Sequence, residues 1–238
     1  MSEARDNTHS HPVETQGSGG TLLGAPTVLS LCDRTGVMVQ PWLDAGYPCV
    51  IVDLQHPIVS TDGLLTRLGA DVTKLDPAMA EGMGIVFAFP PCTHLAKSGA
   101  RWWKDKGLTA LIEGLSVVEA CRATAEASGA PYMIENPSGA LSTHWRKPDH
   151  AFDPLDFGAY VLDGEDYTKL TNLWVGGGFV MPEKRPLPKS DKPNPIHWAA
   201  PGAGRADARS ITPRGFAQAV FEANDPIVWP ERAREAVA

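Results

Sequence analysis

What the 238-residue sequence lacks narrows the field first. No apolar run approaches the ~20 residues needed to cross a bilayer, and no basic stretch followed by an apolar one opens the chain. Neither a membrane span nor an export signal is therefore expected, and the cytosol of whichever cell makes the protein is its expected location. Cysteine is sparse: Cys32, Cys49, Cys92 and Cys121 lie far apart and form no CxxC pair, which argues against a disulfide framework and a zinc site. His94, His144 and His197 complete no Cys/His ligand spacing either, so no metal is expected. Apolar periodicity is missing from residues 1–26, which are rich in Gly, Ser, Thr and His and are expected to form a disordered tail.

Positive charge is also in deficit. A net charge of -7 opposes binding to nucleic acid, whose affinity for proteins comes largely from Lys and Arg displacing phosphate counterions. Its distribution softens the objection. Between Lys169 and Arg214 stand eight Lys/Arg (Lys169, Lys184, Arg185, Lys189, Lys192, Arg205, Arg209 and Arg214) against Glu183, Asp191 and Asp207. A second basic stretch, Lys97, Arg101, Lys104 and Lys106 with Asp105 alone opposing it, follows Cys92. Each run taken alone is equally consistent with an ordinary solvated surface.

What is present reads as α/β. Strand-like apolar runs at Val28–Leu31, Cys49–Val52, Ile85–Phe89, Tyr132–Ile134 and Leu173–Val175 alternate with helical patterns near Val37–Ala45, Leu108–Ala127 and Thr212–Asn224. Gly129 stands where a helix stop belongs, and Thr212-Pro213 reads as a cap followed by a first-turn proline. Alternation of this kind predicts an open, mostly parallel sheet with helices on both faces. A length of 238 residues fits one full domain: a core over 27–175, a loop-rich insertion over 176–210, and a C-terminal helix over 211–238 that completes the core.

In such a sheet ligands gather at the carboxyl ends of the strands. The first strand runs into Cys32-Asp33-Arg34-Thr35-Gly36, a turn that lets backbone approach a ligand. The second ends in Asp53, at the distance from that turn where an acidic side chain meets a pair of ribose hydroxyls. Asp71 stands at a third strand end, as an adenine contact or as an ordinary loop aspartate. The fourth end is Phe89-Pro90-Pro91-Cys92-Thr93-His94, where two rigid prolines fix a cysteine and the basic stretch beyond favours its thiolate. Cys49 and Cys121 lack such a setting and read as small buried apolar residues. The fifth end is Glu135-Asn136-Pro137. A carboxyl group beside a cysteine on neighbouring strand ends suits addition of the thiolate to carbon 6 of a pyrimidine, the acid hydrogen-bonding the ring nitrogen and amino group where charge develops.

Leu29-Ser30-Leu31-Cys32-Asp33-Arg34-Thr35-Gly36, Pro91-Cys92 and Glu135-Asn136 resemble, in order and spacing, the DNA cytosine-5 methyltransferases, above all compact phage-type members. The likeness runs from about Thr27 to Asn224. It implies a Rossmann-like fold, S-adenosylmethionine as cofactor, DNA as partner and action as a monomer. It makes Cys92 the covalent nucleophile and puts Glu135 and Asn136 at the flipped-out target base. It puts Asp33, Thr35, Gly36, Asp53, Asp71 and Pro90 at the cofactor, whose pocket the helix after Thr212 closes. Ser98, Arg101, Lys169, Thr171, Arg205 and Arg209 become the expected DNA contacts, Lys169 and Thr171 through a loose match to the family's Gln-x-Arg-x-Arg strand.

The sequence departs from the family in places. Thr93 replaces a Gln, Pro137 a Val and Cys32 a Phe, the first loop has one Gly fewer, and the large target-recognition domain is missing. Residues 176–210 must do its work, which implies a recognition sequence of few base pairs. Three rivals remain open. They are a thymidylate-synthase-like enzyme acting on a free pyrimidine nucleotide, an amino-directed DNA methyltransferase, and an inactive module that binds the cofactor or DNA.

Overall fold

The computed structural model describes residues 24–189 and 210–230; the expected tail over 1–26 falls almost wholly outside this range, as do Lys192, His197, Arg205 and Arg209. Among the described residues, eight strands form one sheet: β1 Val28–Leu31, β2 Cys49–Val52, β3 Val59–Asp62, β4 Leu65–Leu68, β5 Ile85–Ala88, β6 Tyr132–Pro137, β7 His150–Phe152 and β8 Thr171–Gly176. Their order is β3-β4-β2-β1-β5-β6-β8-β7, with β4, β2, β1, β5 and β6 mutually parallel. The expected fold class, an open Rossmann-like α/β sheet, is what the chain adopts. The strand order reverses at β1, between β2 and β5, and this switch point opens the crevice in which doubly wound sheets hold ligands.

Among the described residues, four α-helices can be traced against the sheet: α1 Gln40–Asp44, α2 Trp103–Ala127, α3 Leu141–His144 and α4 Arg214–Val228. Strand side chains alternate between two cores, as the period-2 pleat demands. Val28, Cys49, Ile51, Ile85 and Phe87 face α1 and α4, where Trp42, Tyr47, Phe216 and Val220 are fully buried. Leu29, Leu31, Val52, Val86 and Ala88 face α2, meeting Val118, Cys121 and Ala125. The whole of β1 and β5 is buried because helices cover both sides. Cys49 and Cys121 are core residues, as expected, and burial pushes the Cys49 thiol up.

Three features differ from the sequence expectation. The hairpin β3–β4 and the strand β7 were not anticipated, because β3 is exposed and polar and β7 has three residues. The first helical pattern forms a 3-10 turn, Val37–Val39, before the five residues of α1. The helix expected from Thr212 starts at Arg214, and Thr212 does not cap it; Glu165, from 49 residues upstream, accepts from the N–H groups of Arg214 (2.8 Å) and Gly215 (3.1 Å). A carboxylate there satisfies orphan amides and meets the positive end of the helix dipole.

Residues 177–189, the described part of the expected insertion, lie on the α4 side of the molecule. Val180 exchanges hydrogen bonds with the Asn224 side chain, Lys184 pairs with Asp156 at 2.9 Å, and Arg185 reaches Glu222 at 3.4 Å while covering the Tyr160 ring at 4.1 Å. Two of the cations expected on a DNA-facing surface thus tie this segment to the core.

Candidate active site

The cysteine turn follows β5 directly. Cys92 is exposed and in no disulfide, and its carbonyl accepts from the N–H groups of Leu95 (3.0 Å) and Ala96 (2.9 Å), which closes a tight turn over Thr93 and His94. Below it, α2 comes close because residue 114 is glycine: a Cβ there would sit 3.1 Å from the Leu95 side chain and 3.3 Å from His94 Cβ. Lys106 donates to the Thr93 carbonyl at 2.8 Å.

This turn is stitched to the end of β6. Ala96 and Gly139 form an antiparallel bridge, Lys97 N–H donates to Ser138 O and Ala140 N–H to Leu95 O, both at 2.8 Å. Gly139 is required by that approach, since any Cβ would collide with the Leu95 carbonyl. Asn136 is buried and its Nδ2 donates to the Pro90 carbonyl at 2.8 Å, holding the Pro-Pro segment against Glu-Asn-Pro. Asn136 Oδ1 is buried with no partner among the described residues.

Glu135 is half-buried beside a small pocket lined by Phe89, Lys169, Thr171, Thr212, Pro213 and Phe216 among others. Burial pushes its carboxyl above the usual range, and the Lys169 ammonium pulls in the opposite direction. Antiparallel pairing explains how Lys169 and Thr171 reach this place: β8 enters where β6 leaves, pairing Thr171 with Pro137 and Leu173 with Glu135. Thr171 is buried, and its Oγ1 donates to Lys169 O at 2.9 Å. Thr212, Pro213 and Phe216, at the start of α4, close the pocket over Glu135. Ser98 and Arg101 lie exposed in the 3-10 stretch Lys97–Trp102 beyond Cys92, with the Arg101 guanidinium 5.1 Å from the Trp102 ring centroid.

The other half of the carboxyl edge belongs to β1, β2 and β4. Asp33 is buried and organises its own turn: it accepts from Ser30 Oγ (2.8 Å), Gly36 N–H (2.8 Å) and Thr35 N–H (3.1 Å). The turn bends through Cys32 at φ 54° and Gly36 at φ 71°. Asp53 follows β2, and its Oδ1 accepts from the Gln55 N–H at 2.8 Å. Leu54, next to it, is 74% exposed. Asp71 lies three residues beyond β4 and caps the turn Val72–Lys74, accepting from the N–H (3.0 Å) and hydroxyl (2.7 Å) of Thr73 with Lys74 at 3.6 Å; these bonds hold its carboxyl below the usual range.

No family model and no curated protein matches the chain. Solved structures that match in part include the antibiotic-resistance methyltransferase Kmr, at 18% identity and a TM-score of 0.29 over 46% of this chain and 58% of that one. Also similar are a 16S rRNA (adenine(1408)-N(1))-methyltransferase from Catenulisporales acidiphilia (16%, TM-score 0.29, 52% of this chain and 60% of that one) and the glycopeptide N-methyltransferase MtfA complexed with S-adenosyl-L-homocysteine (13%, TM-score 0.28, 54% and 52%). The chain thus spans little more than half the length of these proteins. Its fold is assigned from its own strand order.

Sequence reasoning missed Gly139, Gly114, Leu54 and Glu165. Glycine at 139 and 114 becomes meaningful only once the approaching loop is known, and the 74% exposure of Leu54 has no sequence signature.

Proposed function

We propose that the chain is an S-adenosylmethionine-dependent methyltransferase that methylates carbon 5 of cytosine in DNA. The observation that carries this reading is the coupling of two neighbouring strand ends. The Cys92 turn and the Glu135 strand end are held together by the Asn136–Pro90 hydrogen bond and the Ala96–Gly139 bridge.

The residues fit the cofactor. Asp53 Oδ2 would take a ribose hydroxyl, Leu54 would cover an apolar ring face, and the turn over Asp33, Thr35 and Gly36, held in shape by its own hydrogen bonds, would let the main chain approach the ligand, with Pro90 closing the far side. Asp71 would add to the adenine end with the acceptor capacity its own turn leaves. When bound, the cofactor supplies an electrophilic methyl group.

The protein's own groups do the rest. The Cys92 thiolate adds to carbon 6 of the flipped-out cytosine, forming the Sγ–C6 bond and making carbon 5 nucleophilic. Glu135, whose carboxyl burial pushes toward its protonated form, donates a hydrogen bond to the ring nitrogen when protonated and steadies charge accumulating there. After methylation the carbon 5 proton leaves to base and its electron pair expels the thiolate. Lys169, Thr171, Ser98 and Arg101 are the DNA contacts of this reading among the described residues, with Arg205 and Arg209 added from the sequence. The described part of 176–210 packs on the core as a short extension rather than a separate lobe, consistent with a recognition site of few base pairs.

Incubating the protein with S-adenosylmethionine and DNA, followed by mass spectrometry of the nucleosides, should yield 5-methylcytosine. DNA containing 5-fluorocytosine, which cannot lose its substituent in the last step, should trap a covalent adduct with wild type and none with Cys92→Ser. A Cys92→Ser rate within about tenfold of wild type would remove the nucleophile assignment, since loss of a nucleophile costs several orders of magnitude.

A further inference from the structure

We propose that a cavity beside the cysteine turn receives the base that neighbours the target cytosine on the same DNA strand. The proposal rests on the reading of the chain as a cytosine methyltransferase and deepens it. The cavity has a volume of about 290 Å³, and its walls include His94, Trp103, Lys104, Lys106, Leu108 and His144. It exists because Gly107, at φ 70° and ψ -172°, breaks α2, setting the turn Trp103–Lys106 apart from the long helix that follows.

Three observations select the occupant. The first is position: His94 belongs to the turn that Cys92 begins, and Lys106 holds the carbonyl of Thr93, so the cavity opens within two residues of the nucleophile. The second is wall chemistry. An indole, two imidazoles and the Leu108 and Leu111 side chains offer faces to a flat ring, while two ammonium groups stand ready for the phosphate that joins this ring to the target nucleotide. The third is that two wall side chains each carry an unpaired polar atom: His94 Nδ1 and Trp103 Nε1 are buried and have no hydrogen-bond partner among the described residues. A base supplies ring nitrogens and exocyclic groups that either atom can meet once its ring turns toward the cavity, which a lipid chain or an apolar peptide side chain does not. Just outside, Trp102 is 52% exposed under the Arg101 guanidinium, extending the aromatic and cationic surface along the strand. Asp105 is the one acidic residue between Lys97 and Lys106.

A neighbour held in the cavity must be unpaired, so single-stranded or locally opened DNA is the preferred substrate. The test measures binding of short single-stranded oligonucleotides with a central 5-fluorocytosine, intact or carrying an abasic site on its 5′ or 3′ side. One of the two abasic substitutions should weaken binding to wild type by about tenfold, the scale of one lost stacked base. Ala110→Trp, which fills the cavity from its α2 wall, should bind the intact oligonucleotide as weakly as wild type binds the abasic one and lose the discrimination. Cofactor binding should be unchanged. If Ala110→Trp does not fold, His144→Ala and Lys104→Gln read the same discrimination. Equal wild-type affinity for all three oligonucleotides, or discrimination that survives the substitutions, overturns the cavity assignment while the adduct still forms. Absence of both adduct and binding overturns the functional reading together with it.

Discussion

The two halves of the sheet's carboxyl edge employ their polar side chains in opposite ways. On the half built by β1, β2 and β4, the acidic groups largely serve their own backbone: Asp33 closes the Ser30–Gly36 turn and Asp71 caps the turn after it. On the half built by β5, β6 and β8, bonding capacity is left over at Glu135 and Asn136. Glu135 stays in a poorly solvated place, where the Lys169 ammonium acts on its carboxyl, and Asn136 keeps an Oδ1 with no partner among the described residues. The first half is a cradle whose shape is fixed by internal bonds, and the second holds unsatisfied chemistry, the signature of a site where a substrate completes the hydrogen bonding.

Substitutions sharpen that contrast. Glu135→Gln should lower the methylation rate by about 10² to 10³, the scale of one preorganised polar group, and unchanged kinetics would exclude Glu135 from the mechanism. The same variant should be more stable than wild type at pH 8. A carboxyl whose folded pKa is raised contributes stability below its unfolded pKa and loses it as pH rises through the folded one, so the melting-temperature gain should vanish toward pH 4. Asp33→Ala belongs to the other half and should act through the fold. With Ser30 Oγ and Gly36 N–H left buried and unpaired, unfolding should become easier by about 3 kcal/mol in denaturant titration, with cofactor affinity falling in step. An Asp33→Ala protein of wild-type stability would show that the turn is not held this way.

Lys169→Gln tests the charge balance within the second half. Removing the cation that lowers the Glu135 pKa should carry the alkaline limb of kcat/KM to higher pH, because the protonated acid then persists further; an unmoved limb would separate the two groups. The smallest effect is expected at Asp71, an exposed cap on a three-residue turn. Asp71→Ala should cost about 0.5 to 1 kcal/mol in stability and weaken S-adenosylmethionine binding by about threefold in calorimetry, the scale of one exposed hydrogen bond. Unchanged affinity would leave Asp71 to its own turn alone.

The sequence made legible those parts of the fold that depend on contiguous apolar runs. β1 and β2 were read to the residue, and β5 to within one, because helices bury them on both faces and leave no alternation to misread. The helix expected from Leu108 is interrupted just before that residue, at Gly107. The edge elements β3 and β7 were not legible, since short polar strands look like loops until a partner strand organises them. At the site, Cys92 and Glu135 could be read because each ends a strand. The nearness of Lys169 to Glu135 could not be derived from local pattern, since antiparallel pairing of β8 with β6 creates it from residues more than thirty positions apart.

Helix α4 has a consequence for the order in which the chain matures. Its amphipathic face covers Trp42, Tyr47 and Phe87 from far upstream, Tyr47 hydroxyl donates to Asp225 at 2.6 Å, and its first turn depends on Glu165. During synthesis at roughly 5–20 residues per second, the part of this side of the sheet that α1 does not cover therefore waits for seconds until Arg214–Val228 leaves the ribosome. Only then does the Glu135 pocket gain its Thr212–Phe216 wall. Catalytic competence arrives when α4 docks, so a nascent chain should stay inactive, and dependent on chaperone protection, until Arg214–Val228 has been made.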